Sequence, residues 1–253
     1  MSFEEYWLTV TIVFTRLMVF FTVLSFFRGT SVPILAKTSF VLSISLFIAY
    51  QVEPLTPTNI WELVGIIIIE VIIGFLLAFV IELMISIIKI AGSLLDIDIG
   101  LANPFYDGIS GTQATILSKI FYYVFLLIFL VSGGFEKIMY GLMYTFKLSI
   151  QKDFLQKEDN MMFFVELFQV MFFGALQIAL PFMMGTFLLY IALLLMSKVV
   201  DKINILMNVF GIKIFVGVAM VTVMIPTLMI IFQQVDEQMI EKFYEYIGFI
   251  FKQ

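Results

Sequence analysis

Three ionisable side chains, Arg16, Glu70 and Glu82, stand inside long apolar runs. Carrying a charge to the middle of a bilayer costs about 2.5–3.5 kcal/mol on insertion scales, so such a group pairs or faces an internal cavity. Two chemistries fit them: an ion path or polar wall of a conduit, and structural pairing between helices or subunits. Glu82 and Lys89 are seven residues apart and share nearly one helix face, too far apart to pair within that helix, so each is expected to meet another segment or chain. Asp96 and Asp98 form an Asp-x-Asp pair ahead of a glycine-bearing stretch, but no further ligands accompany them to complete a metal site. The chain has no histidine and no cysteine, which removes imidazole acid–base chemistry, thiol nucleophiles, thiolate metal sites and disulfides together. It carries no nucleophile elbow, phosphate loop or zinc-protease helix motif. No catalytic residue, no metal site and no cofactor is expected, and the chain does not read as an enzyme.

The elements that must position these groups follow from composition. Of 253 residues, 62% are hydrophobic and 13% charged, and the mean hydropathy is +1.10. Soluble domains carry about 25% charged residues, and a fold of this size has too little interior for so much apolar surface. Bilayer or tightly packed protein must cover it. The fold class is therefore all-α: a polytopic membrane protein of long kinked helices and helical hairpins. No polar linker divides the sequence, so residues 1–253 form a single expected domain. Net charge is −5 with no basic face, which argues against nucleic acid as a partner. The first cation, Arg16, follows Glu4 and Glu5, so the first apolar segment is expected to stay as a span rather than serve as a cleaved signal.

Six apolar segments stand at 5–27, 38–52, 61–88, 115–135, 163–197 and 212–233. The 38–52 segment is short, since a crossing needs about 20 apolar residues. Pro181 and Pro226 are expected to kink the fifth and the last. Gly74 and Ala78 form a small-xxx-small pair in the third, where helix backbones can approach closely. Residues 100–111, with Gly100, Pro104, Gly108 and Gly111, make the clearest loop inside the hydrophobic body, and 151–160 is the most polar stretch. Two further segments are amphipathic. Ile138, Leu142, Phe146 and Ile150 recur every four residues in 136–151, as do Val235, Met239, Phe243 and Ile247 in 235–252, against Asp236, Glu241 and Glu245. Each fits a helix lying at the membrane interface or a helix docking onto a partner. With six spans, the distribution of Lys and Arg favours both termini outside.

An ordered set of residues then comes together: Arg16; Pro33 and Lys37; Glu70 and Gly74; Ala91-Gly92, Asp96 and Gly100; Asn103-Pro104, Gly111 and Gln113; Gly133-Gly134; Leu180-Pro181; and Asn204, Lys213 and Gly217. Over nearly the whole chain it resembles the FliR family of flagellar biosynthetic proteins and its virulence injectisome counterparts. Where that family often has Pro-Gln-x-Asn before the last span, this chain has Asp201-Lys202-Ile203-Asn204. The resemblance implies a subunit of a type III protein export gate in the bacterial inner membrane at the flagellar basal body. It implies FliP-like and FliQ-like partners, FlhB-like and FlhA-like export components around them, contact with membrane lipid, and unfolded export substrates crossing the gate. It also implies that the loop after the third hydrophobic helix helps plug the closed pore; the matching residues are Gly100, Asn103, Pro104, Phe105, Tyr106, Gly108 and Gly111. Arg16, Glu70, Gly74 and Glu82 would serve as intramembrane charges and helix contacts, and Asn204, Lys213 and Gly217 as a C-terminal motif. An ion-coupled secondary transporter is the alternative, although the internal repeat often found in such folds is missing.

Overall fold

A computed structural model describes residues 3–28, 33–53, 57, 59–101, 115–150, 158–197 and 205–252. Helix dominates. The helices are α1 (Phe3–Val23), α2 (Ile34–Ala49), α3 (Ile60–Ile99), α4 (Ile116–Val131), α5 (Gly134–Thr145), α6 (Glu158–Ser197) and α7 (Ile205–Ile250). A 3-10 turn at Ser25–Phe27 follows α1, and two-residue strands β1 (Ser149–Ile150) and β2 (Phe251–Lys252) pair antiparallel. Pro33 stands immediately before α2, where its fixed φ and missing N–H do no harm.

Three helices outgrow a bilayer. α3 and α6 have 40 residues and α7 has 46. At 1.5 Å per residue they reach about 60–69 Å, twice the roughly 30 Å hydrocarbon core. Pro181 and Pro226 lie inside α6 and α7, and the helical assignment continues through both. The six-span expectation is corrected. Among the described residues four helices are long and apolar enough to cross a membrane: Phe3–Val23, Ile60–Ile99, Met161–Met196 and Gly211–Ile250. α4 followed by α5 makes a fifth if that broken pair counts as one span. α2 and α4 have 16 residues each, about 24 Å of helix, which falls short of the hydrocarbon. The loops on which the cation count rested change with the span number, so that count no longer selects an orientation.

The chain divides into two compact units, each assembled from separated stretches. The first holds Met1–Leu83, Phe135–Phe164 and Met239–Gln253. There α1 packs on α2, and Phe21 sits between Phe20, Phe27 and Phe40 with ring centroids 5.4, 4.9 and 5.6 Å away. Edge-to-face pairs of this kind add to plain area burial. The amphipathic C-terminal stretch is not a separate helix but the end of α7. Its apolar stripe is already occupied within the chain. Phe243 packs near Phe20 and over Gly141 of α5, and Tyr246 stacks on Phe163 at 4.9 Å. Val235, Met239, Phe243 and Ile247 are buried. The stripe therefore faces neither an interface nor a foreign partner, because intrachain contacts cover it.

The second unit holds Met84–Gly134 and Val165–Gln238. It comprises the second part of α3, all of α4, and most of α6 and α7. Phe232 of α7 meets Phe121 and Phe125 of α4 at 5.6 and 6.4 Å. Ile87 of α3 fills the space beside Gly174 of α6.

Candidate functional site

Within the first unit, Glu70 lies one turn before Gly74 on α3. A Cβ on Gly74 would stand 2.5 Å from the Arg16 carbonyl oxygen of α1. Only glycine allows the two backbones this close, and the approach delivers the Arg16 guanidinium to the Glu70 carboxylate. Arg16 Nε and Nη2 donate to the two oxygens of Glu70, the second bond measuring 2.8 Å. This is the bidentate fork that suits a guanidinium best. Arg16 Nη1 donates to Thr145 Oγ1 of α5 at 2.8 Å, and that hydroxyl donates to the Leu142 carbonyl. Phe146 lies over the guanidinium at 4.2 Å, and Phe251 of β2 is 5.5 Å away. Arg16 and Glu70 are 3% and 4% exposed. A buried charge is tolerated when its partner and hydrogen bonds are complete, and the geometry supports structural pairing between helices. Glu82, also in this unit, accepts the Ser25 backbone N–H at 3.0 Å and so holds the turn that ends α1.

Within the second unit the end of α3 and the start of α4, the described elements on either side of the 100–111 stretch, are both tied down. α3 stops just before Gly100, whose φ is +89°. Leu101 N–H reaches back to the Asp96 carbonyl at 2.8 Å and Gly100 N–H to that of Ile97 at 3.2 Å. That is a Schellman stop, and it needs a residue at ease in the left-handed region. The Asp96 side chain is fully buried. Its Oδ2 accepts from the backbone N–H of Leu117 at 2.8 Å and of Ser118 at 3.2 Å. The local cap residue of α4, Thr115, makes no side-chain capping bond. An acid from α3 thus caps α4 from outside, meeting both the orphan donors and the positive end of the dipole. A Cβ on Gly92 would stand 2.5 Å from the Ser118 Cα, and Ser118 Oγ donates to the Lys89 carbonyl at 2.9 Å. The ammonium of Lys89 lies 5.0 Å from the Tyr122 ring.

Asp98, two residues before Gly100, ties the same end of α3 to two more helices. It accepts from Thr186 Oγ1 of α6 and from Lys213 Nζ of α7, the latter at 3.4 Å. Gly217, one turn beyond Lys213, leaves room for Ile99, which would stand 2.6 Å from a Cβ there. The Asp-x-Asp pair is accordingly two structural anchors. Among the described residues no three His, Cys, Asp or Glu side chains cluster for a metal ion.

Of the sequence-derived positions, the structure joins Arg16, Glu70 and Gly74 in one cluster and Asp96, Gly100, Lys213 and Gly217 around one helix end. Asn103, Pro104, Phe105, Tyr106, Gly108, Gly111 and Asn204 lie outside the described residues. Sequence reasoning missed Thr145, Thr186 and the cap by Asp96. It also placed Asp236 on a polar face, whereas Asp236 is 2% exposed and accepts from Ser132 Oγ at 2.5 Å beside the break that separates α4 from α5. That is corrected because Ser132 is 104 residues away in the chain, and no periodicity reports such a contact.

Comparison with known proteins matches residues 7–239 to the family described as bacterial export proteins, family 1. The chain is similar to the flagellar biosynthetic protein FliR of Bacillus subtilis, 25% identical over 236 residues and 91% of each chain. It is similar to the FliR of Aquifex aeolicus, 25% identical over 235 residues, covering 90% of this chain and 89% of the relative. It is similar also to the FliR of Borreliella burgdorferi, 28% identical over 203 residues, covering 78% and 76%.

Proposed function

The chain belongs to the bacterial export proteins, family 1, and from that premise we propose that it is an integral membrane subunit of a flagellar type III protein export gate. The similarity to flagellar biosynthetic proteins along most of both chains carries the reading. The apolar windows of α6 and α7 support it, being only 22% and 11% buried within this chain, against 44% for α1. Helices so greasy and so uncovered require lipid or sister subunits around them. FliP-like and FliQ-like chains are the expected neighbours, with FlhB-like and FlhA-like components at the gate. The setting is the bacterial inner membrane, the cargo is unfolded export substrate, and the whole chain acts as one domain. A solute transporter gains no support from the comparisons.

The stretch from Gly100 to Gly111 serves as the plug of the closed passage, and the anchors in the flanking helices, at the end of α3 and the start of α4, support that role. A plug must move while its roots stay fixed, and Asp96, Asp98, Gly92 and Gly217 fix the roots. Deleting residues 104–110 should leave the subunit assembled but make cells leak small ions, read as dye uptake or a fallen membrane potential. A membrane as tight as the parent's would exclude the plug. For the gate itself, a deletion strain should lose motility and hook assembly, and the wild-type chain should restore both. A strain that still swims would sink the reading.

A further inference from the structure

Three neighbouring hollows in the first unit lead from charged walls to apolar ones. The first, about 550 Å³, is floored by Arg16, Glu70, Thr9 and Thr145 and edged by Gln51, Glu53 and Lys147. Its volume is in the range of a small-molecule site. The second, about 170 Å³, shares Gln51, Val52 and Lys147 with the first and adds Ile48, Tyr140, Met143 and Tyr144. The third, about 450 Å³, shares Met143 with the second and runs on past Met139 along α5 and past Phe47, Ile44 and Phe40 along α2. From Lys147 to Met139 the trough follows about 12 Å of chain at the helical rise.

The charges at the polar end are unspent. Glu53 and Lys147 are both exposed, and among the described residues neither forms an ion pair with the other or with anything else. Arg16 has five N–H donors, and its bonds to Glu70 and Thr145 use three of them. The cleft therefore offers a carboxylate and an ammonium at separate points of its rim, donors on its floor, and a greasy channel leading away. A ligand complementary to all of this is an amphiphile whose head carries both a phosphate and a primary amine. We propose that the cleft and trough bind a zwitterionic aminophospholipid, its amine on Glu53, its phosphate on Lys147 and the spare Arg16 donors, and one acyl chain between α2 and α5. Charge complementarity selects this occupant over a partner helix, which would cover the trough but leave two opposite charges at the rim unanswered.

The test uses the full chain, purified in mild detergent with the chains that accompany it, and measures retention of added phosphatidylethanolamine and phosphatidylglycerol by native mass spectrometry. One charge-assisted hydrogen bond corresponds to roughly tenfold in affinity, so the ethanolamine lipid should be retained by about that factor over the glycerol lipid. Glu53→Gln should erase the preference without weakening glycerol-lipid retention, and Lys147→Gln should weaken retention of both. Both substitutions sit at exposed positions, and unchanged thermal unfolding will show that the fold survives. Equal retention of the two lipids by the wild type would overturn the proposal without any variant. So would a photo-crosslinker at Met143 that captured a polypeptide in place of lipid.

Discussion

A guanidinium buried among phenylalanines survives only because its acid is beside it. Removing one partner of a buried pair costs about 3–5 kcal/mol, whereas replacing both by apolar groups of similar volume is often neutral. Glu70→Ala should therefore lower the thermal midpoint in detergent sharply or abolish accumulation, while Arg16→Met with Glu70→Leu should recover most of the loss. If the double variant were as unstable as the single, the pair would have a role beyond neutralising a buried charge. Arg16 and Glu70 were visible from the sequence as misplaced charges, and their opposite signs hinted at a match. Thr145, the third member, could not be seen, since a threonine near a helix end carries no signal of its own.

At the scale of elements, the informative feature is that α4 borrows its cap. Losing a helix N-cap costs about 0.5–2 kcal/mol. Asp96→Ala should destabilise the protein by about that amount and loosen the start of α4, read as faster amide exchange at Leu117 and Ser118. Protection unchanged at both amides would remove Asp96 from the role. Gly100→Val should also destabilise, since a β-branched residue is forced into the left-handed region at a cost of roughly 1–2 kcal/mol; an unchanged melting curve would contradict that. Helix existence was legible throughout, because long apolar runs and a few prolines leave little else. The fusion of 235–250 into α7 was not, because a polar interruption at Gln233 and Gln234 looks like a boundary, yet neither residue breaks a helix.

For the whole molecule the governing quantity is uncovered apolar surface. Phe187, Leu188, Phe215 and Val223 are 62–80% exposed on α6 and α7, and helices about twice as long as the hydrocarbon is thick must be sheltered beyond it by protein. Extraction in mild detergent should yield a large particle in which this chain is accompanied by other export components. A lone, monodisperse chain in that extract would count against the gate. Because the sequence has no cysteine, single introduced cysteines near each end will report topology cleanly. Four spans place both ends on the same side, and labelling from opposite sides would instead establish the broken α4–α5 pair as a fifth crossing.

Composition and period settled the fold class and the need for a membrane, since a chain this apolar cannot be shielded by its own interior. An ordered set of glycines, prolines and isolated charges pointed to the family. Which charge meets which was decided only in three dimensions. Arg16 finds Glu70 and Thr145, Asp96 finds the start of α4, and Asp98 finds Thr186 and Lys213. These contacts span roughly 20 to 130 residues of sequence, and hydrophobic periodicity describes one helix at a time. It says which face is greasy, but not which neighbour will cover it.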